Sequence, residues 1–167
     1  MFANGGYKVA PYFITSAWRT LAGECWQRPR RCGAGEGAQR TIDSRNAFVM
    51  YNMMQDVIRG GTGARAMSLG RTDLAGKTGT TNDQMDAWFA GFQRNLTAWC
   101  GSGSTCRAPL GPNETGAVAA LPIWISYHGR GAQECCPRSR RPVPEGVIAA
   151  RINPETGLAR PGTRKIR

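Results

Sequence analysis

The chain has 167 residues, enough for one domain with a core, and its formal charge of +11 comes from 22 Lys and Arg against 11 acids. Its longest apolar run, residues 116–125, contains Pro122 and is too short to cross a bilayer. No basic segment leads into an apolar stretch as a secretory signal would. Any anchor or export signal is therefore expected upstream of Met1, and Met1-Phe2-Ala3-Asn4-Gly5-Gly6 reads as the middle of a longer protein.

A basic excess ordinarily suggests nucleic acid or an anionic surface, but here it is unevenly placed. Residues 15–40, 94–108 and 128–142 hold 11 Arg against 3 acids, and they also hold all six cysteines and three of the five tryptophans. Within them Trp18–Arg40 has no apolar periodicity of either kind. Patches rich in Cys, Trp, Arg and Gly are what out-of-frame translation of a GC-rich gene produces, so compensated frameshifts are expected there, with irregular structure. Ordinary basic loops are the alternative. No Cys-x-x-Cys pair forms a zinc pattern among Cys25, Cys32, Cys100, Cys106, Cys135 and Cys136.

In chain order, Asn4-Gly5-Gly6 reads as a turn and Tyr7–Ile14 as a short strand. Asp43 or Ser44 can cap a helix from Arg45 to about Arg59, whose apolar positions Ala47, Met50, Tyr51, Met54 and Ile58 recur at helical spacing. Gly60-Gly61-Thr62-Gly63 stops it, and Met50, Met53 and Met54 are read as core filler. Ala64–Gly70 suggests a further helical turn or two. Leu74–Thr80 is a strand of small residues, Thr81–Gln84 a turn and Asp86–Phe92 a second strand, together a hairpin. A third strand should begin near Leu96, but it is expected to break up at Trp99-Cys100-Gly101-Ser102-Gly103. Glu114–Tyr127 is predicted as a helix with Ala117, Leu121, Trp124 and Ile125 on one face, kinked by Pro122 unless the missing N–H is harmless. Pro142–Gly146 is a linker. Val147–Ile152 with the turn Asn153–Gly157 starts a small hairpin, and the basic tail Arg160–Arg167 is expected to be disordered.

The run carrying chemistry is Lys77-Thr78-Gly79-Thr80-Thr81-Asn82. On a strand, Thr78 and Thr80 share a face. Their hydroxyls, with backbone N–H groups, suit a carboxylate. Gly79 lets a substrate approach the backbone, and Lys77 supplies a fixed positive charge. Asn82, Asp83 and Asp86 are read as turn formers, and His128, without a carboxylate or second ligand nearby in sequence, as structural.

The segment LAGKTGTTNDQMDAWFAGF resembles the corresponding stretch of class A penicillin-binding proteins. So, in the same order along the chain, do FANGGYKVAPYFI, SRNAFVMYNMMQDVIRGGTGARA, TGAVAALPIW and PEGVIAARINPETG. The resemblance covers about two thirds of the chain. It implies an α/β (α+β) fold of the serine β-lactamase/transpeptidase type, a mainly antiparallel sheet of about five strands flanked by helices. Residues 1–142 would be the C-terminal portion of the transpeptidase domain, and residues 143–167 an extension with a disordered basic tail.

The family builds its site from Ser-x-x-Lys, Ser-x-Asn and Lys-Thr-Gly. Only the third occurs here, since no serine of this chain has lysine three places on. By resemblance, Lys77 shapes the positive potential. Thr78, Gly79 and Thr80 bind the carboxylate of a D-Ala-D-Ala stem peptide or of a β-lactam, and the Thr80 N–H is an oxyanion donor. The nucleophile is absent, so the chain alone is expected to be inactive. No cofactor or metal is implied. The implied partner is the N-terminal half of the same domain, and the implied location is the periplasmic face of a bacterial cytoplasmic membrane. Two other readings compete. Gly76-Lys77-Thr78 could end a nucleotide-binding P-loop, although Arg71 stands where that motif needs glycine. The net charge could mark a nucleic-acid-binding protein.

Overall fold

A computed structural model describes residues 1–9, 18–19, 25–27, 38–93, 96–106, 108–135, 141–150, 152–153 and 155–158. Two short strands, β1 (Trp18–Arg19) and β2 (Cys25–Gln27), pair antiparallel by themselves. The main body is helix α1 (Ser44–Arg59), strands β3 (Ala75–Thr80), β4 (Asp86–Phe92) and β5 (Thr97–Gly103), and helix α2 (Leu121–Cys135). The three longer strands form one antiparallel sheet in the order β3-β4-β5. This helix-and-antiparallel-sheet architecture is the α+β class expected from the sequence.

Helix α1 begins where its capping chemistry predicts. The Asp43 carboxylate accepts from the Arg45 backbone N–H at 2.9 Å, satisfying one of the orphan donors of the first turn. The same carboxylate accepts from Arg45 Nε, and this hydrogen bond is the main reason the Asp43 pKa lies below its ordinary value. Ala47, Tyr51 and Ile58 of the predicted stripe are buried, whereas Met50 and Met53 are exposed. Those two methionines are therefore surface residues rather than core filler, because the sheet and its loops cover only one side of the helix.

The β3–β4 hairpin matches its sequence. Its register runs from Ala75 opposite Phe92 to Thr80 opposite Ala87. The connecting turn places Asp83 and Gln84 at φ 56° and 55°, in the left-handed region, and the Thr81 hydroxyl accepts from the Asp86 N–H at 2.7 Å.

Three expectations need correction. First, β5 is a regular seven-residue strand paired with β4 along its length, from Asp86 opposite Gly103 to Phe92 opposite Thr97. Ala98 and Cys100 pack against the core, while Thr97, Trp99, Gly101 and Gly103 point out, so a period-two pattern of small residues does exist. Gly101 makes room for the Trp88 ring, since a Cβ there would lie 2.5 Å from Trp88 Cζ3. Second, α2 does not stop near Tyr127 but runs to Cys135, into the stretch expected to be irregular. A π-helical segment, Gly116–Ala120, runs directly into it, with the Leu121 N–H donating to the Gly116 carbonyl, so Pro122 lies within a continuous helical stretch just after the wider π turn. Third, residues 147–150 form no strand, although the turn after them is present, with the Gly157 N–H donating to the Asn153 carbonyl at 2.8 Å.

Tyr7 makes a single antiparallel bridge to Arg40. The rest of the Tyr7–Ile14 strand from residue 10 onward, and the tail from residue 159, lie outside the described residues.

The core lies between the sheet and the helices. Ile58, Ala66, Leu74, Phe89, Ala120, Leu121 and Trp124 form its main cluster. Phe89 and Trp124 meet edge to face, with centroids 5.1 Å apart, and the Trp124 indole N–H donates to the Ala98 and Gly91 carbonyls at 3.2 and 3.3 Å. Burying a ring such as Phe89 contributes about 1.5–3 kcal/mol. A smaller cluster joins Tyr51, Ala75 and Phe92. Within the hairpin, Phe89 and Phe92 are buried, whereas Trp88 is 49% exposed.

Candidate functional site

The connection into β3 is rigid. Arg71 and Asp73 form a two-point ion pair, Nη2 to Oδ2 at 2.7 Å and Nε to Oδ1 at 2.9 Å, with both side chains almost completely buried. The Tyr51 hydroxyl donates to the Asp73 carbonyl at 3.2 Å, and Gln55 Nε2 donates to the Tyr51 hydroxyl and the Thr72 carbonyl. This network ties the start of β3 to α1 and so determines where the Lys-Thr-Gly segment lies.

Within β3, Thr78 sits opposite Phe89 and Thr80 opposite Ala87, while Gly79 sits opposite Trp88. Directly opposed residues share a face. Thr78 and Thr80 therefore lie together, as alternation requires, on the side of the core residues. Lys77 and Gly79 lie on the other side. Neither hydroxyl is idle. Thr78 Oγ1 is 2.9 Å from Thr62 Oγ1, and Thr80 Oγ1 accepts from the Gly116 N–H at 3.0 Å. The Lys77 ammonium donates to the Thr78 carbonyl at 2.8 Å and to Thr78 Oγ1 at 3.3 Å, which places its charge at the strand edge.

The backbone polarity of that edge follows from the ladder. The Thr81 N–H donates to the Asp86 carbonyl at 3.0 Å. Because successive N–H groups of an antiparallel strand alternate in direction, Gly79 and Lys77 also point toward β4, and the Thr78 and Thr80 N–H groups point away. No other strand pairs with that edge among the described residues. An edge of unpaired N–H groups, a fixed ammonium and two hydroxyls can accept an extended chain bearing an anionic end.

Gly116 holds the rear of this strand. A Cβ there would lie 2.3 Å from the Trp88 carbonyl oxygen and 2.6 Å from that of Gly79, so only glycine allows the start of the α2 region to sit on the ladder and donate to Thr80. Sequence reasoning identified neither Thr62 nor Gly116 as part of the site, because both reach β3 from distant segments.

Gly76-Lys77-Thr78 lies inside a strand paired with β4 along its length, not in a loop opening a helix, which removes the P-loop reading. Among the described residues no cluster of His, Cys, Asp and Glu could hold a metal ion, and Cys100 and Cys106 are free thiols. His128 is buried on α2, stacked against Trp124. Its spacing of four from Trp124 and seven from Leu121 placed it on the buried face of the helix.

The family model of the penicillin-binding protein transpeptidase domain matches residues 1–98, and the chain belongs to that family. It is 47% identical to penicillin-binding protein 1A of Pseudomonas aeruginosa over 208 residues, which cover 98% of this chain and 25% of that protein. It is 41% identical to penicillin-binding protein 1A of Neisseria flavescens over 148 residues, covering 89% of this chain and 18% of that protein. The crystal structure of penicillin-binding protein 1A from Haemophilus influenzae superimposes with a TM-score of 0.73 at 29% identity, covering 98% of this chain and 29% of that one. The chain thus spans about a fifth to a quarter of the length of these curated relatives. None of its described helices is long and apolar enough to cross a membrane.

Proposed function

We propose that the open edge of β3 is the substrate-carboxylate and oxyanion wall of a peptidoglycan D,D-transpeptidase. The observation that carries this reading is the outward pair of Thr78 and Thr80 N–H groups, flanked by the Lys77 ammonium 2.8 Å from the Thr78 carbonyl. A stem peptide ending in D-Ala-D-Ala, or a β-lactam with the same carboxylate, would lie along the edge. Its carboxylate would meet the Thr78 and Thr80 hydroxyls, with Gly79 offering an approach to the backbone. The Thr80 N–H would stabilise the developing oxyanion. Removing one such donor typically costs about 2.7–4 kcal/mol of transition-state stabilisation.

These 167 residues contain no Ser-x-x-Lys, so the acyl-enzyme step would need a serine supplied by the remainder of the domain. The whole protein would work on the periplasmic side of the cytoplasmic membrane, where peptidoglycan lies. The test is a titration of the isotope-labelled chain with N-acetyl-D-alanyl-D-alanine, using its C-terminal amide as control. Saturable shifts of the Thr78 and Thr80 amides with the acid alone are expected. Unmoved Thr78 and Thr80 signals would refute the assignment. A fluorescent penicillin is expected to leave no covalent label on any serine of this chain.

A further inference from the structure

We infer that Thr62 is a positioning residue for this strand-edge site, setting the direction in which the Thr78 hydroxyl donates. The inference rests on the reading of the β3 edge as a carboxylate site. Thr62 Oγ1 and Thr78 Oγ1 are 2.9 Å apart, and either can be the donor. The Lys77 ammonium, which has donors only, lies 3.3 Å from Thr78 Oγ1 and takes one of its two lone pairs.

Thr78 is left with one proton and one acceptor position. If it gives the proton to Thr62, no donor remains for an anionic ligand. If Thr62 donates into Thr78, the Thr78 proton is turned outward at the strand edge. A carboxylate offers acceptors only and therefore selects the second arrangement. The result is a relay, Thr62 O–H to Thr78 O–H to carboxylate, in which each bond polarises the next. The Lys77 contact strengthens the same polarisation, because a positive charge on the Thr78 oxygen makes its proton a better donor.

The backbone holds Thr62 in place for this task. The Gly63 N–H donates to the Val57 carbonyl at 2.9 Å, and the Ala64 N–H to the Gly61 carbonyl at 3.1 Å. A Cβ at Gly61 would lie 2.9 Å from Val57 Cα, and one at Gly63 would lie 2.9 Å from Ile58 Cδ1. Thr62 itself is exposed, but Gly63 beside it is buried and these contacts hold the turn onto the end of α1, which presents the Thr62 hydroxyl to β3.

The experiment compares the full chain with Thr62→Val, which keeps the shape and removes the hydroxyl, and Thr62→Ser, which keeps the hydroxyl. Each is titrated with N-acetyl-D-alanyl-D-alanine, and its urea midpoint is measured alongside. The expected result is binding weakened on the order of tenfold in Thr62→Val, restored in Thr62→Ser, with urea midpoints that do not follow the binding. Equal affinity in the wild type and Thr62→Val would overturn the role of Thr62 while leaving the site assignment intact. Loss of binding that tracks a lowered urea midpoint and is not restored by serine would also overturn it. A wild-type chain that binds neither the acid nor its amide would remove the site reading itself.

Discussion

The His128 imidazole stacks on the Trp124 indole with ring centroids 3.7 Å apart and planes 23° apart, and the histidine is buried almost completely. Burial pushes the His128 pKa below its ordinary value, with a smaller lowering from the positive charge of Arg71. The fold therefore holds the ring neutral. Below about pH 6.5, the ordinary histidine value, the unfolded chain takes up a proton that the folded chain resists. Stability is then lost as pH falls through that value and downward. Urea midpoints are expected to decline from pH 7.5 to pH 5.5, and His128→Phe is expected to flatten that decline. A midpoint rising toward acid would contradict a neutral buried ring.

Breaking the Arg71–Asp73 pair strips a buried charge of its two-point ion-pair contact. Asp73→Asn is expected to destabilise the chain by about 3–5 kcal/mol. The double variant Arg71→Met with Asp73→Leu should cost less than the sum of the two single changes, since it removes both charges at once. Chemical denaturation of the wild type, the single variants Arg71→Met and Asp73→Leu, and the double variant measures the coupling, and additive effects would mean the pair does not act as a unit. Because β3 starts at Ala75, the single variant should also disturb the Lys77–Thr80 amide signals.

Gly116→Ala places a methyl group against the Trp88 and Gly79 carbonyl oxygens. Overpacking of this kind typically costs about 1–3 kcal/mol. The helix start must move, and the hydrogen bond from its N–H to Thr80 Oγ1 should be lost. Hydrogen exchange at residue 116 is the readout, with faster exchange expected in the variant. Unchanged exchange and an unchanged denaturation midpoint would show that this contact is looser than 3.0 Å implies.

Trp88 and Trp99 remain 49% and 76% exposed on the outer face of the sheet, and both sheet edges lack a partner strand among the described residues. Exposed apolar edges promote association between chains. Trp99→Ser is expected to change stability by no more than about 0.5 kcal/mol and to reduce self-association in sedimentation. Trp88→Ser uncovers Gly101 and should cost more. A wild-type chain that stays monomeric at high concentration would remove the reason for the expected drop in self-association.

Local chemistry made several features legible from the sequence. An aspartate followed by helical spacing placed α1, and two short apolar runs around Thr81-Asn82-Asp83-Gln84 placed the hairpin. Alternation alone put Thr78 and Thr80 on one face. In each case the information lies within a few neighbouring residues, where capping, turn geometry and side-chain period act. Tertiary structure decided the rest. Trp99-Cys100-Gly101 looks unlike a strand until β4 supplies the ladder, the core receives Cys100, and Gly101 lies under Trp88. Whether the Thr78 and Thr80 hydroxyls are free or occupied depends on Thr62 and Gly116, which stand 16 and 36 residues from their partners. No local periodicity encodes such contacts, because they arise only when packing closes the chain on itself and every buried donor must find an acceptor.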